Sequence, residues 1–150
     1  MKKIKRLVLV ALVALTTISV HAQDFPEIEE ALTNKDMATV IIYRTPQLFG
    51  AAANWAIFEG GERLCKLSNK KYMIYQREPG DSDFRAQVGG VQTWPKKVTG
   101  LEIPLEAGKV YYIKTNVKTS FTRARVELTE VTDRAAQKEM AELSLDRCSQ

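Results

Sequence analysis

Histidine occurs once in this 150-residue chain, as His21, and cysteine twice, as Cys65 and Cys148. Because His21 belongs to a leader-like first segment, the remainder has no Ser–His or Cys–His pair for nucleophilic catalysis and no imidazole to bind a metal. Glycine is sparse, with 8 residues in all. Neither Gly60-Gly61 nor Gly89-Gly90 continues into the pattern that cradles a nucleotide phosphate. The extended apolar run, Leu7 to Ile18, reaches about 18 Å as a helix, short of a bilayer core of about 30 Å. Acids are absent from the first 22 residues, which carry Lys2, Lys3, Lys5 and Arg6. The formal charge of +4 is therefore the leader's own, and beyond it 18 cations face 18 anions. That balance argues against nucleic acid as a partner, since such affinity rests on clustered Lys and Arg neutralising phosphates.

The first segment has the three parts of a secretory signal peptide. Met1 to Arg6 is the positive start, Leu7 to Ile18 the apolar stretch, and Val20-His21-Ala22 the small-residue site that predicts cleavage before Gln23. No cysteine lies in or just after it, so the thiol needed for bacterial lipoprotein anchoring is missing. The expected product is exported, periplasmic or extracellular, and soluble after cleavage. Export gives the two cysteines a meaning. In an oxidising compartment Cys65 and Cys148 can form a disulfide, which would stabilise by roughly 4 kcal/mol in the chain-entropy model. The alternative leaves Cys65 as a small buried hydrophobe between Leu64 and Leu67, with Cys148 in a fraying C-terminus.

From Ala38 onward period two dominates. Val40-Ile41-Ile42-Tyr43 is a β-rich run, and Asn54 to Glu59 leads through the hairpin signal Gly60-Gly61 into Arg63 to Leu67. Tyr72 to Gln76 is closed by the turn Glu78-Pro79-Gly80-Asp81. Phe84 to Val88 and Leu101 to Leu105 then alternate, with Pro104 facing away from the apolar side as suits an edge strand. After Ala107-Gly108 come Val110 to Val117 and a run in which Ala124, Val126 and Leu128 oppose Arg123, Arg125, Glu127 and Thr129. Such spacing predicts a mainly β protein, an antiparallel immunoglobulin-like or prealbumin-like sandwich of about 7–8 strands. Two helices bracket it. One is short, with Pro26 near its start and Glu27, Glu29 and Glu30 in its first turns. The other runs from Asp133 to Leu145 and carries Ala136, Met140 and Leu143 on one face. The expected organisation is a signal peptide at 1–22, a polar, partly helical segment at 23–37, the sandwich at 38–131, and a C-terminal helix and tail at 132–150.

Few residues beyond the cysteines invite a role. Asp81-Ser82-Asp83 lacks the further spaced oxygens of a calcium loop and reads as turn chemistry. The segment 89–100, GGVQTWPKKVTG, sets Trp94 beside Lys96 and Lys97. It is either a partner-binding loop or a lid folded over the open end of the core. The loop from Arg44 to Asn54, with Leu48 and Phe49, is an apolar lip or a plug for a strand end. Tyr72, Tyr75, Tyr111 and Tyr112 read as packing, each with its hydroxyl at a wet edge.

Several of these residues carry a family resemblance. Val40-Ile41-Ile42-Tyr43-Arg44, the small residues Gly50 to Ala53, Gly61 with Leu64 and Leu67, Tyr72, Pro79-Gly80, and above all Ala107 to Ile113, AGKVYYI, resemble the bacterial family called domain of unknown function 2846. The resemblance runs from Ala38 to Val131. It implies an exported small β-sandwich with no established activity, and so transfers no catalytic residue. Two departures stand out: the lipoprotein cysteine is missing, and Asp81-Ser82-Asp83 follows Pro79-Gly80 where relatives commonly continue with histidine.

The expected function is that of a noncatalytic binding or accessory module of the cell envelope, with a protein or glycan as partner and neither cofactor nor metal. The alternatives are a structural part of an envelope assembly, docking by an edge strand and the last helix, and a small glycan hydrolase using two carboxylates.

Overall fold

The computed structural model describes residues 25–48, 50–89, 100–120 and 123–148. The expected signal peptide at 1–22 and the residues Trp94, Lys96 and Lys97 lie outside them. Among the described residues, nine strands and two helices follow in the order α1 (Pro26–Ala31), β1 (Ala38–Arg44), β2 (Trp55–Glu59), β3 (Glu62–Leu67), β4 (Lys71–Arg77), β5 (Gly80–Val88), β6 (Leu101–Leu105), β7 (Val110–Ser120), β8 (Arg123–Val131), α2 (Asp133–Met140) and β9 (Ser144–Leu145). They form a sandwich of two sheets, β8-β7-β1-β4-β9 against β3-β2-β5-β6.

β1 explains the arrangement. It is buried along its whole length, which is why its sequence is a continuous apolar run and does not alternate with polar residues. Ala38, Val40 and Ile42 face the other sheet, where they meet Trp55, Ile57, Phe84 and Ile103. Ile41 and Tyr43 face outward and are covered by Ile28 of α1 and by Ala136 and Met140 of α2. The helices are therefore a third, partial layer over the middle of one sheet.

The immunoglobulin-like alternative is not the one adopted. That order sets the first strand beside the second in one sheet, whereas here β1 and β2 lie in different sheets. Four principal strands on four follow the prealbumin-like order. Nor is the sandwich wholly antiparallel: β1 runs parallel to β7, from Thr39↔Val110 to Tyr43↔Lys114, and β4 runs parallel to β9. The chain reaches β7 only after passing through the second sheet, so it enters beside the start of β1 by a crossover and not by a hairpin turn. Tyr111 fastens that crossover: its hydroxyl accepts from the Glu106 N–H at 3.0 Å and donates to the Pro104 carbonyl at 3.1 Å.

Turn chemistry sets the hairpin between β2 and β3. Glu59 pairs with Glu62, and Gly60 and Gly61 take φ of 57° and 90°, the left-handed pair that a two-residue hairpin of type I′ needs. The expected edge position of Pro104 holds, since β6 ends its sheet.

Two expectations are corrected. The Asp81-Ser82-Asp83 segment is strand and not turn: it belongs to β5 and pairs with Pro104, Ile103 and Glu102. Ser82, Phe84 and Ala86 are buried in alternation, and this inward stripe outweighs the local turn preference of Asp and Ser. The last helix ends at Met140, not Leu145. A short turn, with the Leu143 N–H on the Met140 carbonyl at 2.8 Å, buries Leu143 beside Met140, and Ser144 and Leu145 become β9 along β4.

The tail is diverted by a covalent bond. Cys65 and Cys148 are joined as a disulfide, with Cα atoms 4.9 Å apart. The bridge links β3, the edge of one sheet, to the segment behind β9, the edge of the other. Asp146 supports it: its N–H donates to the Tyr72 carbonyl at 2.7 Å, and its Oδ2 accepts from the Ser68 N–H at 2.7 Å.

Candidate functional site

Along β1 the inward positions run Ala38, Val40, Ile42 and then Arg44. The last puts a guanidinium at the end of the space between the sheets, and Arg44 is completely buried. Trp55, which opens β2 in the opposite sheet, is also completely buried and lies flat beneath it, with the guanidinium carbon 3.7 Å from the ring centroid. Arg44 Nη1 donates to the Ala53 carbonyl and Nη2 to the Gly50 carbonyl, both at 2.7 Å. No carboxylate among the described residues pairs with Arg44. Its Nε–H and the indole N–H of Trp55 have no partner among the described residues.

A buried charge without a counter-ion is held here by two carbonyl dipoles and the negative face of an indole ring. Burial pulls the Arg44 guanidinium down to about 10, still well above neutral pH, so the group stays charged. What the arrangement does is fix a loop from below. Residues 45–54 are tied by Arg44 at Gly50 and Ala53, and at their start by Gln47, whose N–H donates to Asn69 Oδ1 at 3.1 Å while Asn69 Nδ2 donates to the Gln47 carbonyl at 3.2 Å. Between these anchors Leu48 stands fully exposed.

The second loop singled out in the sequence leaves from the same place. The Gly89 N–H donates to the Asn54 carbonyl at 3.3 Å, and Gly89 bridges to Trp55. Gly89, the last described residue before the segment of Trp94, Lys96 and Lys97, therefore lies beside the end of the Leu48 loop. The sequence left the Leu48 loop open between a lip and a plug, and it gave no pairing of Arg44 with Trp55. The available signal was parity: Arg44 occupies the position after Ala38, Val40 and Ile42 in the inward register, where a charge has no ordinary place.

Several other polar groups have structural partners. Cys65, Cys148 and Asp146 lie close enough together to suit a metal, but both sulfurs are in the disulfide and offer no thiolate. Glu59 pairs with Arg77, which also donates to Ser82 Oγ at 2.6 Å, so this acid is neutralised at the opposite end of the sandwich. The four tyrosines behave as the sequence implied. Tyr72 meets Glu27 at 3.2 Å and Tyr75 meets Glu59 at 3.4 Å. Tyr112 faces the Asp133 carboxylate, and Tyr111 fastens the crossover.

Tyr43 adds a further tie between sheet and helix. Its hydroxyl donates to Glu139 Oε2 at 2.8 Å, and the same oxygen takes Lys114 Nζ at 2.8 Å. Burial tends to raise the Glu139 carboxyl, but the bonds from Lys114 and Tyr43 outweigh it and hold the group below the usual carboxylate range. Burial first, and the facing carboxylates second, push Tyr43 and Tyr112 far up, and Tyr72 to about 12. The unfolded chain loses these protons near the ordinary value of 10.0 while the folded chain keeps them. Stability contributed by the three phenols is thus fully present below pH 10 and is lost as pH rises toward 12 and beyond. Each unit of displacement is about 1.4 kcal/mol, so denaturant midpoints should fall steeply above about pH 10. Tyrosinate absorbance should rise together with unfolding. Free titration of all three phenols at their ordinary value with the fold intact would remove this account.

The family model described as a protein of unknown function (DUF2846) matches residues 34–127, more than half of the chain. The chain belongs to that family. No curated protein and no solved structure matches it.

Proposed function

We propose that this chain is an exported, noncatalytic module of the bacterial cell envelope, and that it binds a protein or glycan partner through the end of the sandwich where the Leu48 loop and the loop of Trp94, Lys96 and Lys97 arise. The observation that carries this reading is the presentation of Leu48. A fully exposed leucine sits on a loop whose backbone is held in place by a buried guanidinium. A loop ordered in advance loses little entropy when a partner covers it. Export is supported by the leader's three-part pattern and by the disulfide, which persists in oxidising compartments. The described residues supply neither a nucleophile–base pair nor an unpaired buried carboxylate couple, which keeps hydrolysis as the weaker alternative.

A photo-crosslinking amino acid placed at Leu48 in living cells tests the reading. It should yield a discrete adduct with an envelope protein or glycan, and the same probe at Glu130, exposed on β8, should not yield that adduct. With the probe at Lys66 as a second reference, an identical adduct pattern at all three positions, or none at Leu48, would sink the loop-end assignment.

A further inference from the structure

Given the Leu48 end as the binding face, a reading on which this rests, we propose that the Cys65–Cys148 bridge is a redox control on the Leu48 loop. Closed, the bridge holds the turn that clamps the start of the loop; opened by a dithiol, it releases that turn. Asn69 grips both backbone groups of Gln47, accepting from its N–H and donating to its carbonyl. Asn69 lies in the short link from β3 to β4, which crosses from one sheet to the other. That link needs outside support, because Lys70 within it takes φ of 60°, a left-handed conformation that disfavours residues with a Cβ.

The C-terminal segment supplies the support, on both sides of Asn69. Before it, the Ser68 N–H donates to Asp146 Oδ2 at 2.7 Å. After it, Lys71 and Tyr72 pair with Ser144 and Leu145, Lys71 Nζ donates to Ser144 Oγ at 2.7 Å, and the Tyr72 carbonyl accepts from the Asp146 N–H at 2.7 Å. Glu142 also reaches Lys70 at 3.7 Å, an exposed pair that adds little. Asp146 is aimed in turn by the bridge residue, since the Cys148 N–H donates to its Oδ1 at 3.0 Å. The contacts thus form one physical chain: Cys148 fixes Asp146, Asp146 fixes Ser68, and the next residue, Asn69, fixes Gln47. Opening the bridge takes two electrons from the dithiol. One of its thiolates attacks the half-buried Cys148 sulfur and the buried Cys65 sulfur leaves; the second thiolate then displaces Cys148. The dithiol becomes a disulfide, and the two cysteines take up the protons that its thiols gave up.

Amide exchange resolved by NMR tests this, on the chain as purified from cells with its bridge intact and again after reduction by dithiothreitol. On reduction the Gln47 amide should exchange about tenfold faster or more, while those of Val40 and Ile42 in β1 keep their protection, as in a local opening. Asp146→Ala with the bridge still closed should free Gln47 in the same way, and it decides the matter should the reduced chain unfold. In Asn69→Ala the Gln47 amide should already exchange fast, and reduction should add nothing further. A Gln47 amide that keeps its protection on reduction, one that is undisturbed by Asp146→Ala, or one that reduction still accelerates in Asn69→Ala would overturn the proposal. No partner takes part in the measurement, so its failure leaves the Leu48 adduct standing, and a missing adduct leaves this coupling standing.

Discussion

Replacing both Cys65 and Cys148 by serine should lower stability by about 4.5 kcal/mol, the largest single loss expected outside the hydrophobic core. The two residues are 83 apart in sequence, and in the chain-entropy model the restriction removed from the unfolded ensemble grows with the logarithm of the loop closed. Folded-state consequences should be local. β9 is held to β4 by only two residue pairs, Lys71↔Ser144 and Tyr72↔Leu145, with Asp146 bonded to Tyr72 and Ser68 behind them. Without the bridge this short tail has little to retain it. Urea unfolding of the reduced and oxidised protein gives the difference in stability, and limited proteolysis reports whether the tail is released first. A change below about 1 kcal/mol would mean that the bridge constrains an unfolded state already compact in this region.

The fold was largely legible in the sequence because its signals are local. Gly60-Gly61 marks a turn, Pro104 marks an edge, and the run Val40 to Tyr43 marks a strand covered on both faces. What escaped was long-range. The parallel pairing of β1 with β7 depends on a crossover through the other sheet, which no window of the sequence contains. The length of the last helix is hidden for a related reason: Ala136, Met140 and Leu143 fit a helical stripe, and all three are indeed buried, yet the chain turns after Met140 to run along β4 as β9, a pairing distant in sequence. The three-residue segment beginning at Asp81 was misread because local turn preference competes with the inward alternation of Ser82, Phe84 and Ala86, and burial wins. The candidate site was only half legible. The loop of Leu48 could be read as either a lip or a strand-end plug, and the stacking of Arg44 on Trp55 joins the ends of strands in different sheets.

That stacked pair separates two roles that a single substitution would confuse. Trp55→Ala removes a fully buried indole from the core and should destabilise by about 4 kcal/mol, in the range of large-to-small core changes. It also withdraws the aromatic face beneath Arg44, so the penalty includes a buried cation left with less compensation. Arg44→Met has a different expected outcome. An unbranched apolar side chain of similar reach replaces a desolvated charge, a change often neutral or favourable to global stability, while the two bonds to Gly50 and Ala53 are lost. The denaturation midpoint should therefore move little, whereas amides of residues 45–54 should exchange faster and proteases should cut there first. Arg44→Lys should be worse than Met for stability, because an ammonium buries a charge without the planar stack or the two-pronged reach. Under this account the Leu48 adduct should weaken in Arg44→Met although the sandwich remains folded, since an anchor on an unfixed loop must be ordered at the moment of binding. If Arg44→Met instead unfolds the protein as severely as Trp55→Ala, the guanidinium is a strut of the core and not a clamp on the loop, and the presentation of Leu48 must be explained by Gln47 and Asn69 alone.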